Sequence, residues 1–139
     1  MPIQIAETDG DIARCFSVLQ QLVPKLVEEE FLATIRTQQS EGYQLAFLEH
    51  EGAVVSVAGF RIHHVLWSGK TLYVDDLVTD AGSRARGHGE ALLHWLIDRA
   101  RQIGCNTFSL DSGTQRQPAH AFYFRHGLRI TDFHFQLPL

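Results

Sequence analysis

The stretch TLYVDDLVTDAGSRARGHGEALLHWLIDRARQIG, Thr71 to Gly104, decides how the rest of the chain is read. Its apolar run from Leu72 to Val78 predicts a buried strand, although Asp75 and Asp76 stand inside it. Neighbours in a strand point to opposite faces, so these two carboxylates are expected to separate, one toward the core or a cleft and one outward. Asp80-Ala81-Gly82 marks a turn. Farther on, Leu92, Leu93, Leu96, Ile97, Ala100 and Ile103 recur at the spacing of one helix face, and Gly104 is a natural stop. Arg84, Arg86, Gly87 and Gly89 lie between strand and helix.

Strand, basic glycine loop, helix is a unit suited to a phosphorylated ligand. The first N–H groups of a helix are unpaired and carry partial positive charge, so they favour an anion. Glycines let a bulky phosphate reach the main chain, and arginines add forked donors. Three motifs compete for this loop. Gly82 and Gly87 have the spacing of a Walker-type loop, but His88-Gly89 stands where that loop needs Lys and a hydroxyl. A dinucleotide fingerprint would run Gly87-x-Gly89-x-x-Gly, and Leu92 occupies the place of its third small residue. Asp111 lies at a distance suited to a ribose contact, which keeps a nucleotide-binding reading open.

The third motif fits. Arg84-x-x-Gly87-x-Gly89, after a strand ending in Leu77-Val78-Thr79, resembles the acetyl-CoA loop of the GNAT family of N-acetyltransferases. Downstream, Ala119-His120-Ala121-Phe122-Tyr123-Phe124-Arg125-His126-Gly127-Leu128 is similar to that family's A-x-x-F-Y-x-x-x-G-F segment, with Leu128 for the usual Phe. The two motifs stand in the family's order and cover roughly residues 71 to 130. The resemblance implies a mixed α/β (α+β) fold, with a central mixed, mostly antiparallel sheet of about seven strands flanked by about four helices. It also implies an enzyme that moves the acetyl group of acetyl-CoA to a primary amine by direct attack in a ternary complex, with no metal.

At 139 residues the chain is expected to form one compact domain, residues 1–139, which the resemblance implies is an N-acetyltransferase domain. A net charge of −4 supplies no overall attraction to nucleic acid or an anionic membrane, so any anion site is local. The chain has no apolar run long enough for a membrane span, and residues 1–11 lack the pattern of a signal peptide. A cytoplasmic location is expected. Cys15 and Cys105 show no metal-type spacing and read as separate reduced thiols.

Taken in order, Ile3 and Ile5 predict a short first strand. Thr8, Asp9 and Asp11 can cap a helix carrying Ile12, Cys15, Phe16, Leu19 and Leu22, which Pro24 ends. A second helix is expected over Val27 to Gln38, with Glu28-Glu29-Glu30 in its first turn, where the dipole favours negative charge. Those glutamates are also compatible with an acidic lip for a cationic substrate. Tyr43 to His50 and Ala53 to Val65 predict a hairpin turning at Glu51-Gly52. A turn at Trp67-Ser68-Gly69-Lys70 leads to the strand and helix of the opening stretch. After Thr107 to Leu110, another strand, Pro118 opens a helix running to His126 with Gly127 as its cap. Leu128 to Ile130 and Phe133 to Leu137 are expected to close the chain as strands.

Acyl transfer from a thioester to an amine needs a polarised carbonyl, an uncharged amine and a protonated leaving thiolate. By the resemblance, Leu77, Val78 and Thr79 hold the pantetheine arm and thioester, and Arg84, Arg86, Gly87, His88 and Gly89 hold the pyrophosphate. The side chain of Arg86 is equally suited to face solvent. Tyr123 is implied as the general acid, since a phenol titrating near about 10 can donate to a thiolate. Arg116 stands where the family often has an Asn that bonds the coenzyme. Asp76 is the candidate amine binder or water-mediated base, by the position of acids in related enzymes. Asp111 and Ser112 read as turn formers. His63 or His134 could also serve as a base, since imidazole titrates in the useful range. The eight histidines lack paired metal-ligand spacings.

A non-catalytic coenzyme A binding or sensing domain is the alternative within the same fold. The amine-bearing acceptor is not named by the residues: Asp75, Asp76 and Glu28 to Glu30 suit a cationic amine, whether a small molecule or a protein lysine. The alternation of Phe133, Phe135, Leu137 and Leu139 is compatible with a homodimer and equally with a half-buried strand.

Overall fold

Strands β2 (Tyr43–His50) and β3 (Ala53–Val65) form the hairpin around which the fold is built. The turn between them places Glu51 at φ 51° and Gly52 at φ 79°, the left-handed pair that a tight hairpin requires. In the computed structural model, which describes residues 3–139, the chain makes two compact units, Met1–Ser109 and Leu110–Leu139. Among the described residues one sheet of five strands runs in the order β1-β2-β3-β4-β5, where β1 is Ile3–Ile5, β4 is Gly69–Thr79 and β5 is Thr107–Leu110. The first three pairings are antiparallel. At the β4 edge, the Asn106 N–H donates to the Lys70 carbonyl (2.7 Å) and the Asn106 side chain accepts from the Lys70 N–H (3.0 Å). Strands β4 and β5 therefore start level. The four residues of β5 end well before the eleven of β4, and Leu77 to Thr79 run on beyond them.

The unbroken burial of residues 55–60 reflects helices on both faces of the sheet. Tyr43, Leu45 and Phe47 of β2 share one face, and they form a single cluster with Ile12, Phe16, Leu19, Phe31 and Ile35. Those five come from α1 (Asp9–Arg14), α2 (Phe16–Leu22) and α3 (Glu28–Ser40). Phe60 pairs with Gln44, so it points the other way, and its ring meets Trp95 of α4 (His88–Gln102) edge-on at 6.4 Å. Leu92, Leu93 and Leu96 of α4 are fully buried. The Lys70 ammonium donates to the Ile103 carbonyl at the end of α4 (2.6 Å), a cation where the helix dipole favours one.

Three expectations need correction. The first helix is two, α1 and α2, because the chain kinks at Cys15, which ends one and starts the other. The Cys15 N–H bonds to Ile12, three residues back, and so tightens the last turn of α1. With that split the fold has five α-helices among the described residues, the fifth being α5 (Gln117–Arg125) in the second unit. Leu128 to Ile130 and Phe133 to Leu137 carry strand-like sequence but form no strand, since neither run acquires a ladder partner. Phe133, Phe135 and Leu137 are 80–91% exposed.

The third correction concerns the acidic pair. Gly59 pairs with Asp76 and Phe60 with Val74, so Asp75 is an extra residue in β4, a β-bulge. The bulge breaks the alternation. Asp76, opposite Gly59, faces the same side as Tyr43 and Leu45, while Val74 faces α4 with Phe60. Both carboxylates therefore lie on the face covered by α1 to α3, and they do not separate.

Candidate active site

At the bulge each carboxylate has its own partner. The Arg61 Nε donates to both oxygens of Asp75 at 3.1 Å, and its Nη2 lies 3.0 Å from Oδ2. The same guanidinium donates to Gln38 of α3 at 2.9 Å and stacks 5.5 Å above the Tyr43 ring. Asp76 accepts a hydrogen bond from the Tyr43 hydroxyl at 2.8 Å. Burial pushes the Asp76 carboxyl above its usual range, the Tyr43 bond opposes this, Asp75 adds to it and Arg61 opposes it. Burial also drives the Tyr43 phenol far upward, helped by Asp76, so it remains a donor. Asp75 counts as exposed although its side chain is only 23% exposed, so much of that exposure lies in its main chain.

From the bulge, Leu77, Val78 and Thr79 lead into the loop. Leu77 and Thr79 are half-buried and Val78 is buried. Thr79 shares a hydrogen bond with the buried Ser56 hydroxyl at 3.1 Å. Asp80 then folds the chain over: its carboxylate accepts from the Gly82 N–H (3.2 Å) and the Ser83 hydroxyl (3.4 Å). Gln21 of α2 clamps this turn from outside, donating to the Asp80 carboxylate at 2.7 Å and accepting from the Ala81 N–H at 2.9 Å.

Beyond the clamp, Ala85 (φ 65°) and Gly87 (φ 81°) both adopt left-handed backbone, and Arg84, Arg86 and Gly87 are exposed. Gly87 caps α4 with no side-chain hydrogen bond, and Glu90 is the only acid in the first turn. The N–H groups of His88, Gly89 and Glu90 have no acceptor within the helix. A Cβ on Gly89 would lie 3.0 Å from the Thr79 hydroxyl, so glycine is what lets the helix start sit against the strand end. The His88 ring packs 4.9 Å from that of His50, and its Nε2 is enclosed without a hydrogen-bond partner. Exposed main chain, an uncapped helix start and two arginines fit a pyrophosphate.

The second unit carries the other motif. Pro118 sits in the first turn of α5, as expected of a helix opening there, and Arg116 occupies the N-cap position without a side-chain hydrogen bond to the helix. Tyr123 is the one buried residue of α5. Burial raises its phenol pKa, with Arg116 pulling the other way. Its ring meets Phe122 edge-on at 5.6 Å. His134 Nδ1 lies 3.3 Å from Asp111, both partly exposed. His63 is an exposed residue of β3 opposite Thr71, well along the strand from the bulge. Cys15 is buried, which pushes its thiol up to about 12, so it is no nucleophile at neutral pH.

Four residues of this arrangement have no sequence motif: Gln21, Tyr43, Gly59 and Arg61. Gly59 alone left a signal, since a glycine inside an apolar strand marks close approach of another group. A methyl there would overlap the Tyr43 phenol.

A sheet whose acidic bulge leads through a glycine loop to an uncapped helix suits an enzyme that takes a group from a phosphorylated carrier. The model of the acetyltransferase (GNAT) family matches residues 5–128. The chain is 33% identical over 129 residues to the uncharacterized N-acetyltransferase YhdJ of Bacillus subtilis (strain 168), covering 91% of each. Over 95 residues it is 33% identical to the aminoalkylphosphonate N-acetyltransferase of Salmonella typhimurium, covering 67% of this chain and 60% of that one. The crystal structure of a Trypanosoma brucei acetyltransferase superposes with a TM-score of 0.78 at 26% identity, over 99% of this chain and 98% of that one. The chain belongs to the acetyltransferase (GNAT) family and is an acetyl-CoA-dependent N-acetyltransferase. No helix among the described residues is long and apolar enough to cross a membrane.

Proposed function

We propose that residues 1–139 act as a single N-acetyltransferase domain in which a primary amine attacks acetyl-CoA directly, with Asp76 as base and Tyr123 as acid. The observation that carries this reading is the bulge, which gathers two carboxylates on one face and exposes the Asp75 main chain. Leu77, Val78 and Thr79 hold the pantetheine arm, and the loop from Arg84 to Gly89 holds the pyrophosphate.

The acceptor arrives as an ammonium and gives one proton to Asp76, directly or through water. The free nitrogen then forms a bond to the thioester carbonyl carbon. Main-chain N–H groups of β4 beyond the reach of β5 stabilise the resulting oxyanion. The carbon–sulfur bond breaks, and the departing thiolate takes the Tyr123 proton. The nitrogen loses its second proton, which restores the phenol through solvent. One proton is released per turnover, and neither cysteine takes part.

Two experiments test this. Acetyl-CoA at about 100 times its dissociation constant should stabilise the protein by about 2.7 kcal/mol, roughly 4 °C in melting temperature. Arg84→Ala should blunt that rise. A rise with NAD or ATP in place of acetyl-CoA would mean that the loop serves a nucleotide. Coenzyme A release should then be followed over a panel of primary amines: an aminoalkylphosphonate, an amino sugar phosphate, a polyamine and a lysine peptide. Binding without turnover on any of them would favour a coenzyme A sensor.

The clamp adds a second prediction. Gln21→Ala removes the outer bond to Asp80 and the acceptor of the Ala81 N–H, so affinity for acetyl-CoA should fall about tenfold with kcat little changed. Calorimetric titration reads the affinity, and a dissociation constant equal to wild type would show that the loop holds its shape unaided.

A further inference from the structure

We propose that Tyr43 is a positioning residue that holds the Asp76 carboxylate in place to receive the acceptor's proton; this rests on the acyl-transfer reading above. Tyr43 belongs to β2 and Asp76 to β4, with β3 between them. To reach Asp76 the phenol has to cross β3, and it crosses at Gly59, which pairs with Leu45 on one side and Asp76 on the other. The missing side chain of Gly59 is the passage. Arg61, two residues along, lies over the ring and is itself tied to Asp75 and Gln38. Tyr43 is 3% exposed, so its ring has little freedom.

A buried phenol needs a hydrogen-bond acceptor, and a backbone carbonyl or a water would satisfy it. Here the acceptor is a carboxylate directly opposite Gly59, with the inserted Asp75 beside it on the same strand. The bond engages Oδ2 of that carboxylate. The charged and titratable groups that bear on the pair are Asp75 on the same strand, Arg61 on β3, and Cys15 between α1 and α2. Arg61 is committed to Asp75, and the Cys15 thiol stays protonated at neutral pH. Tyr43 is therefore the donor that favours the charged form of Asp76, against the desolvation that disfavours it.

The test is Tyr43→Phe, which keeps the ring over Gly59 and removes one oxygen. The Asp76 carboxyl is followed by carbon-13 NMR titration of the free protein, with Asp76→Asn to assign its signal. Coenzyme A release is measured against pH with the amine of the panel that wild type turns over fastest. In Tyr43→Phe the Asp76 midpoint and the acid limb of kcat/KM should both move to higher pH. Turnover should fall about tenfold, the loss of one hydrogen bond to a charge, with KM for acetyl-CoA near wild type. In the Asp76→Asn background the same substitution should slow the enzyme no further. An unmoved midpoint and acid limb overturn the proposal, even if turnover falls, because packing alone would then explain the loss. Full activity in Asp76→Asn overturns the underlying base assignment instead, and the role of Tyr43 with it.

Discussion

Tyr123→Phe should lower kcat about a hundredfold, near the low end of what a positioned acid contributes, while the dissociation constant for acetyl-CoA stays near wild type. A hundredfold is about 2.7 kcal/mol of barrier, which is reasonable for a thiolate that must leave unprotonated. The substitution removes an oxygen and keeps a buried ring, so unfolding should change little. Burial lifts the phenol above its ordinary range, so the proton is present throughout neutral pH. The alkaline limb of kcat should accordingly lie above the usual range of a tyrosine. Initial rates and calorimetry together decide it: unchanged kcat with unchanged affinity would remove Tyr123 from the chemistry.

Asp76→Asn should slow acetyl transfer by about a hundredfold as well, and should make the folded protein more resistant to heat at neutral pH. The second effect follows from the direction of the shift. The folded Asp76 holds its proton to higher pH than the unfolded chain, whose carboxyl titrates near the usual 3.8. Its contribution to stability is fully present below that value and is lost as pH rises through the folded pKa. Ionising Asp76 in the fold therefore carries a desolvation cost that Asn does not have, while the Asn carbonyl can still accept from Tyr43. Melting curves of both proteins at several pH values check this. The variant's advantage should shrink on acidification, and a gap that widens would reverse the sign of the shift.

Local patterns in the sequence carried the frame. Tyr43 to His50, Ala53 to Val65 and Thr107 to Leu110 are strands with the bounds that alternation, turn residues and apolar runs predict. The helix after the glycine loop starts one residue before Gly89, as an uncapped left-handed Gly87 allows. The features that escaped are those in which one element answers to another. The bulge at Asp75 exists only as a mismatch with β3, so a strand read alone puts its two acids on opposite faces. Tyr43 reads as a core aromatic until the Gly59 gap and the Asp76 carboxylate beyond it are placed around it. Gln21 reads as one polar residue of a short helix until α2 is set beside Asp80. Phe133 to Leu137 has the right alternation, but a strand also needs a neighbour to bond to.

The extra residue at Asp75 does one more thing. A plain ladder can slide by two residues and keep every side chain on its proper face, at the expense of only its ends. A ladder with one surplus residue has no such freedom, because sliding would carry the surplus past Gly59 and lose both the passage and its occupant. The bulge thus works as an index pin between β3 and β4. It fixes where Thr79 stops, and through the Thr79–Gly89 contact it fixes how high α4 begins. One unpaired residue in the middle of a strand thereby sets how the strand end and the start of α4 are placed against β3.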